Sequence, residues 1–214
     1  MRTIRLGSSA LLEWAILARH GESEYSVKHL MNGDPVTVVR LTEAGREQAR
    51  RLGEALRDEE IDLCVTSEFG RTIETADVAL EGRDVPRLVL RDLNDVRVGE
   101  YEGKTLTEYR EWAHSQSPTA LPPGGDESRA ATVQRYVRAF REIIARPERV
   151  VLVVAHGLPL RYILNAAKGA HPAPIVEQIE YATAYRLDQD TLQTAIDALD
   201  AWAANPSWAT SASP

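Results

Sequence analysis

The chain has 214 residues, 43% of them hydrophobic and 27% charged, with a formal net charge of −7. That length supplies one sizeable core or two small ones, and the acidic balance argues against bulk attraction to nucleic acid or an acidic membrane surface. A single cysteine, Cys64, excludes an internal disulfide and reads as a small core residue rather than a nucleophile.

The opening "MRTIRLGSSALLEWAILARHGES" sets a basic start before an apolar run. Glu13 interrupts that run and no small-residue cleavage site follows, so no export signal is expected. No stretch reaches membrane-spanning length, and the expected location is cytoplasmic. Residues 1–13 read as an extension with no assigned role. Trp14 to Ala18 form a short buried strand that stops on Arg19, His20 and Gly21, and a loop runs on through Gly33 to Pro35. Thr42 caps a helix in "LTEAGREQARRLGEALRDE", where Ala49, Leu52 and Leu56 recur at helical spacing. "IDLCVTS" is a strand ending on Ser67, "GRTIETADVALEG" a helix ended by Gly82, and "VPRLVL" the next strand.

"DLNDVRVGEYEGKT" has no period and reads as a polar loop, "LTEYREWAHS" as a short helix, and "PTALPPGGDES" as a linker. Glu127 to Arg146 form an amphipathic helix with Val133, Tyr136, Val137, Phe140, Ile143 and Ile144 on one side. "RVVLVVAHG" is a second buried strand ending in histidine. "LPLRYILNAAKG" follows as a helix with Pro159 in its first turn. "TAYRLD" is a strand and "TLQTAIDALDAWAA" the last helix; residues 205–214 read as a disordered tail.

Strands alternate with helices and the central strands are apolar throughout. The expected fold is therefore α/β in three layers, a largely parallel sheet with helices on both faces. It forms one domain over residues 1–204 with a small helical cap inserted at about 95–130; the helices between Thr105 and Arg146 are the candidate lid.

In such sheets ligands sit beyond the carboxyl ends of the strands. Arg19, His20 and His156 stand at that edge, and Arg71 opens the helix after a third strand. Two arginines, two histidines and free N–H groups at helix starts make an anion site, and the guanidinium fork fits a phosphoryl group. Each residue alone has an ordinary explanation: a satisfied polar strand end, or for Arg71 an ion pair with Glu74. The repeated histidine–glycine pairs, His20-Gly21 and His156-Gly157, argue for more, since glycine permits close backbone approach. Zinc is disfavoured by the flanking arginines, and no Walker loop, dinucleotide fingerprint or G-x-S-x-G elbow is present. No cofactor is expected. A neutral imidazole can attack phosphorus inside a cage of positive charge. Asp95, Glu100 or Glu102 could protonate the leaving oxygen.

The sequence resembles the histidine phosphatase superfamily, in its phosphoglycerate-mutase-like branch, from Trp14 to about Leu187. The matching blocks, in family order, are "RHGES", "LTEAGREQA", "TSEFGRTIETA", "LNDVRVGEYEG" and "VVAHG". The resemblance implies that His20 is the phosphorylated nucleophile and that Arg19, Arg71 and His156 hold the phosphoryl oxygens. It implies further that Ser23 adds a hydrogen bond, that Gly157 lies beside the second histidine, and that Asp95 is the proton donor. Many relatives carry the longer glutamate at that last position, so here the loop must sit closer or a water must bridge. Ser26 stands where mutase-like members usually have asparagine, and the region before His156 is short. Both departures favour a phosphatase acting on a small phosphorylated metabolite over a mutase or sugar bisphosphatase. Protein-phosphohistidine phosphatase and non-catalytic phosphate-binding module are the remaining readings. Selectivity is expected from residues 25–38, from Tyr101, Tyr109 and Trp112, and from the 124–128 linker; Lys28, His29 and Arg97 are charged candidates beside them. A homodimer fits the prevalence of two-fold pairing.

Overall fold

A computed structural model describes residues 12–208. Most of the N-terminal extension and the last six residues of the expected tail lie outside them. Five strands, β1 (Trp14–Arg19), β2 (Leu63–Thr66), β3 (Arg87–Val89), β4 (Val150–Ala155) and β5 (Tyr185–Leu187), form one sheet in the order β3-β2-β4-β1-β5. The first four are mutually parallel and β5 runs antiparallel to β1 at the edge.

Side chains alternate across each strand, and both faces are covered. On one side Ile16, Ala18, Cys64, Leu152 and Val154 pack with Leu52, Leu56, Ala76 and Leu80, which come from or flank α2 (Glu43–Ala55) and α3 (Gly70–Ala79). On the other, Leu17, Val65, Val151 and Val153 meet α5 (Arg129–Ile144), α6 (Gly157–Ala166) and α7 (Gln189–Ala204). This is why the central strands carry no polar alternation. Burial raises the Cys64 thiol to about 11, as suits a core residue.

Two short elements complete the chain: α1 (Glu24–Val27), inside the expected loop, and α4 (Leu106–Ser115), closed by a capping box between Thr105 and Glu108. The stretch from Thr105 to Arg146 divides between two layers. Only α4 stands over the sheet edge, where Tyr109 and Ala113 join Val96 and Val98 in a small separate core. Helix α5 packs in the main core. Residues 205–208 also belong to the fold: the Trp208 ring lies 5.6 Å from Trp202 and its indole N–H donates to the Gln116 carbonyl at 2.7 Å. No helix among the described residues is long and apolar enough to cross a membrane.

Candidate active site

Sheet register builds the site. Because β1 and β4 are parallel with Arg19 opposite Ala155, the next residues, His20 and His156, leave the sheet side by side. Their ring centroids are 5.4 Å apart. Strand β2 pairs with β4 through Thr66 and Val154, so Ser67 arrives beneath the second ring.

Hydrogen bonds fix both imidazoles. His20 Nδ1 lies 2.7 Å from the Gly21 carbonyl oxygen, which can only accept, so Nδ1 carries the proton. Its Nε2 then keeps a lone pair, toward which Arg71 Nε donates at 3.2 Å. His156 Nδ1 accepts from Arg71 Nη2 at 3.2 Å, which leaves Nε2–H to donate to Ser67 Oγ at 2.8 Å. The relay continues from Ser67 Oγ to Thr72 Oγ1 at 2.9 Å and on to the Phe69 carbonyl at 2.8 Å. Burial, then the charges of Arg71 and Arg19, hold His20 well below the ordinary histidine range. Burial, Arg71 and the neighbouring His20 do the same to His156. Both rings are neutral at pH 7.

Arg71 is buried and its guanidinium falls to about 10, chiefly through burial. It does not pair with Glu74, which instead takes Arg46 at 2.8 Å and the Leu41 N–H at 3.0 Å. Asn32 holds it: the Asn32 amide oxygen accepts from Arg71 Nη1, and the Asn32 carbonyl accepts from Nη2 at 3.2 Å. The Asn32 amide nitrogen in turn donates to Glu102 Oε1 at 2.7 Å. Arg19 donates to Gln178 Oε1 at 2.8 Å and to the Ile179 carbonyl at 2.9 Å, and its guanidinium lies 4.0 Å from the centre of the Tyr181 ring. Its buried Nε has no partner.

Asp95 Oδ2 approaches Arg71 Nη2 at 3.5 Å and His156 Nδ1 at 3.6 Å. The loop therefore brings the Asp95 carboxylate close to both the guanidinium and the imidazole. Arg135, on α5, clamps that loop by donating to the carbonyls of Asp92, Asn94 and Asp95 at 3.1, 2.6 and 3.2 Å, while pairing with Glu127 at 2.7 Å. Of the other acids, Glu102 is spent on Asn32 and the Gly33 N–H, and Glu100 does not line the cleft.

Arg19, His20, Asn32, Arg71 and Asp95 line a cleft of about 590 Å³, with His156 behind Arg71 and outside its lining. Ser23 and Ser26 line it, sharing a 2.8 Å hydroxyl contact at the start of α1. Gly157 lines it as well, and a Cβ there would sit 3.7 Å from Arg19 Nε. Helix α6 begins at this point without a side-chain cap, leaving its first N–H groups for an anion. Gly21 has a different purpose from the one its sequence suggests. A Cβ there would come within 2.4 Å of the Gly45 carbonyl oxygen, so the two glycines let the histidine loop and the start of α2 pack backbone on backbone. Among the charged candidates His29 reaches the cleft, Lys28 does not, and Arg97 pairs with Asp126 at 3.2 Å. Tyr101, Tyr109 and Trp112 form the cap's aromatic cluster, with centroids 5.7 to 5.8 Å apart. Sequence reasoning missed Asn32, Ser67, Arg135 and Tyr181. No group of three or more His, Cys, Asp or Glu side chains is placed to hold a metal ion among the described residues.

Comparison with known proteins places this arrangement. The family described as histidine phosphatase superfamily (branch 1) matches residues 15–201. A 2,3-bisphosphoglycerate-dependent phosphoglycerate mutase of Methylobacterium sp. (strain 4-46) is 35% identical over 205 residues, covering 86% of this chain and 96% of the relative. Among solved structures, Bacillus stearothermophilus YhfR aligns with a TM-score of 0.71 at 31% identity, covering 82% of this chain and 90% of that one. Mycobacterial glucosyl-3-phosphoglycerate phosphatase in complex with VO3 aligns with a TM-score of 0.68 at 26% identity, covering 82% and 92%.

Proposed function

The chain belongs to the histidine phosphatase superfamily, branch 1, and is a hydrolase of that type; we propose that it is a metal-independent phosphomonoesterase working through a phosphohistidine on His20. The observation that carries this reading is the His20 tautomer. With Nδ1–H committed to the Gly21 carbonyl, the Nε2 lone pair is the only free nucleophilic position on the ring. Burial beside two guanidinium groups keeps it unprotonated.

In the first step Nε2 forms a bond to phosphorus as the ester P–O bond breaks. Arg71 Nε turns its donor from the ring to a phosphoryl oxygen, and Arg19 Nε and the α6 N-terminus supply the remaining contacts, while His156 Nδ1 keeps Arg71 Nη2 in place by accepting from it. Asp95 gives its proton to the departing oxygen. In the second step water attacks phosphorus, Asp95 accepts its proton, the P–N bond breaks and phosphate leaves. Stabilisation comes from donors already in place around the shifting charge, and proximity removes most of the orientational cost.

Hydrolysis is preferred over phosphoryl retention because exposed residues such as His29, Ile175 and Glu177 rim the cleft, leaving water a path to the intermediate. The mutase reading draws its support from the name carried by the Methylobacterium relative. One experiment separates them. Purified protein in excess chelator is given 3-phosphoglycerate, with and without its bisphosphate, alongside p-nitrophenyl phosphate. Phosphate release, with acid-labile label trapped on wild type and absent from His20→Ala, is expected. Isomerisation without release would overturn the hydrolytic reading.

A further inference from the structure

Between α6 and β5 the chain runs from Ala167 to Ala184 without a helix or a strand, and part of it, from Pro174 to Gln178 and again at Tyr181, lines the cleft. This strap has no ladder of its own and is held through its carbonyls. Arg161, on α6, donates to those of Glu177 and Gln178 at 3.0 and 2.7 Å. Tyr162, on the same helix, donates to that of Ala173 at 2.9 Å, and Arg110, on α4, to that of Val176 at 3.3 Å. Three side chains from two helices thus fix a segment that would otherwise be free to move.

The end of the strap closes on Arg19. The Ala182 N–H donates to the Arg19 carbonyl at 2.9 Å. Gln178 Oε1 and the Ile179 carbonyl both accept from Arg19 Nη1, at 2.8 and 2.9 Å. The Tyr181 ring lies flat against the same guanidinium, 4.0 Å from its centre, and 6.0 Å from the His20 ring. Asp95, the acid of the site, turns to Arg71 and His156 instead. Burial is the leading effect on Arg19 and lowers its pKa. Arg19 is therefore a desolvated cation with an aromatic face as neighbour, the setting in which that attraction is strongest.

Backbone strain marks the same place. Ala182 has a φ of 44° and is buried. A residue with a Cβ is disfavoured in the left-handed region and persists there only where its surroundings hold it. This one follows directly on Tyr181, whose backbone bridges to Arg19. The effect on Arg19 is selective. Its Nη1 is committed to two strap acceptors. Its Nε is buried with no partner and lies beside Gly157, where a Cβ would be 3.7 Å away. A guanidinium makes its two-point contact along one edge of the fork, and the strap occupies the Nη1 side while leaving the Nε edge open.

We propose that Tyr181 is a positioning residue: its ring, backed by the strap, holds the Arg19 guanidinium so that the Nε edge meets the phosphoryl group. It touches no reacting atom, and the identity of the bound group rests on the phosphomonoesterase reading. Two measurements test it on wild type, Tyr181→Phe, Tyr181→Leu and Tyr181→Gln; two ringless variants are used so that misfolding of one leaves the other. The first needs no anion. The Arg19 Nε–H resonance, assigned by its loss in Arg19→Lys, should be shifted upfield by the ring in wild type and Tyr181→Phe and should move downfield in the ringless variants. The second is calorimetric titration with sodium tungstate, an oxyanion that is not turned over. Tyr181→Phe keeps the aromatic face and should bind as wild type does. Loss of the ring should weaken binding by about five- to thirtyfold, the range for a cation over an aromatic face as it becomes desolvated. A resonance that is the same in all four proteins, or tungstate affinity in the ringless variants equal to that of wild type, would overturn the proposal. Hydrolysis of p-nitrophenyl phosphate is scored separately. A wild type that neither hydrolyses it nor binds tungstate refutes the phosphatase reading, and the resonance then decides the positioning role by itself. A wild type that does both, with ringless variants indistinguishable from it, refutes the positioning role alone.

Discussion

Replacing Arg135 by methionine tests how the Asp95 loop is held. The wild-type guanidinium is bound to Glu127 at 2.7 Å, with the two side chains only 10% and 14% exposed, and it serves three loop carbonyls. Burial works to raise the Glu127 carboxyl, but the Arg135 hydrogen bonds and charge outweigh it and hold it below the ordinary range. Methionine fills similar space and removes all of this, stranding a carboxylate. Breaking one side of a buried pair costs about 3–5 kcal/mol. With a urea slope of about 1–3 kcal/mol per M, the unfolding midpoint should fall by about 1 M or more at pH 7.5. The pH dependence has a definite sign. In the wild type the folded Glu127 pKa is depressed, so its stabilisation is present above the unfolded value and lost as pH falls. In the variant the unpaired carboxyl is raised, so the penalty is largest at neutral pH and shrinks on acidification as the group takes up a proton. The double variant Arg135→Met with Glu127→Gln should recover most of the loss, because no buried charge remains. A midpoint change under about 0.3 M, or a gap between wild type and single variant that does not narrow with acid, would refute the clamp as described.

Two further outcomes follow from the site. Asp95→Asn should slow hydrolysis of alkyl phosphates by about 100-fold or more, within the range for general acids, and p-nitrophenyl phosphate far less, because that leaving group needs little protonation; equal slowing of both would count against Asp95 as donor. The buried, neutral histidines should also make the free protein acid-sensitive. Their folded pKa values are depressed, so their contribution is intact above the unfolded value of about 6.5 and lost below it, by up to about 1.4 kcal/mol per histidine at pH 5.5. Denaturation series across that interval should show a shallower decline for His156→Gln than for wild type, and identical slopes would mean that the imidazole is protonated in the folded state.

The layered fold was legible because its signal is local and redundant. Strand β4 is apolar at every position and β1 at every position before Arg19, which only a sheet covered on both faces permits, and α4 announced its own start through Thr105 and Glu108. Misreadings occurred where the local signal was thin. Helix α1 has four residues and buries none of them, so no period exists to detect. Helix α7 begins at Gln189 rather than Thr191 because Asp188 caps it by accepting from the Thr191 N–H. The helix expected in the lid, α5, bears an apolar stripe that fits the main core as well as a cap, and periodicity alone does not say which layer receives it.

The groups proposed to react stand out in the sequence and their supports do not, for one physical reason. Arg19, His20 and His156 are conspicuous because a buried strand normally ends on something cheaper. Asn32, Ser67 and Arg135 sit in contexts where polar residues are ordinary: a loop, a strand end, the middle of an amphipathic helix. Nothing in "RYVRAF" distinguishes Arg135, buried against a loop 40 residues away, from Arg138, which is exposed and bonded to Asp92. Yet in the proposed mechanism these supports decide where the protons sit. The Gly21 carbonyl chooses the His20 tautomer, Arg71 chooses that of His156 while Ser67 takes its Nε2–H, Asn32 aims the guanidinium between them, and Arg135 brings a short acid within reach. An imidazole at a strand end becomes a nucleophile only when such partners fix its proton, and they converge through sheet register and helix packing rather than through sequence spacing.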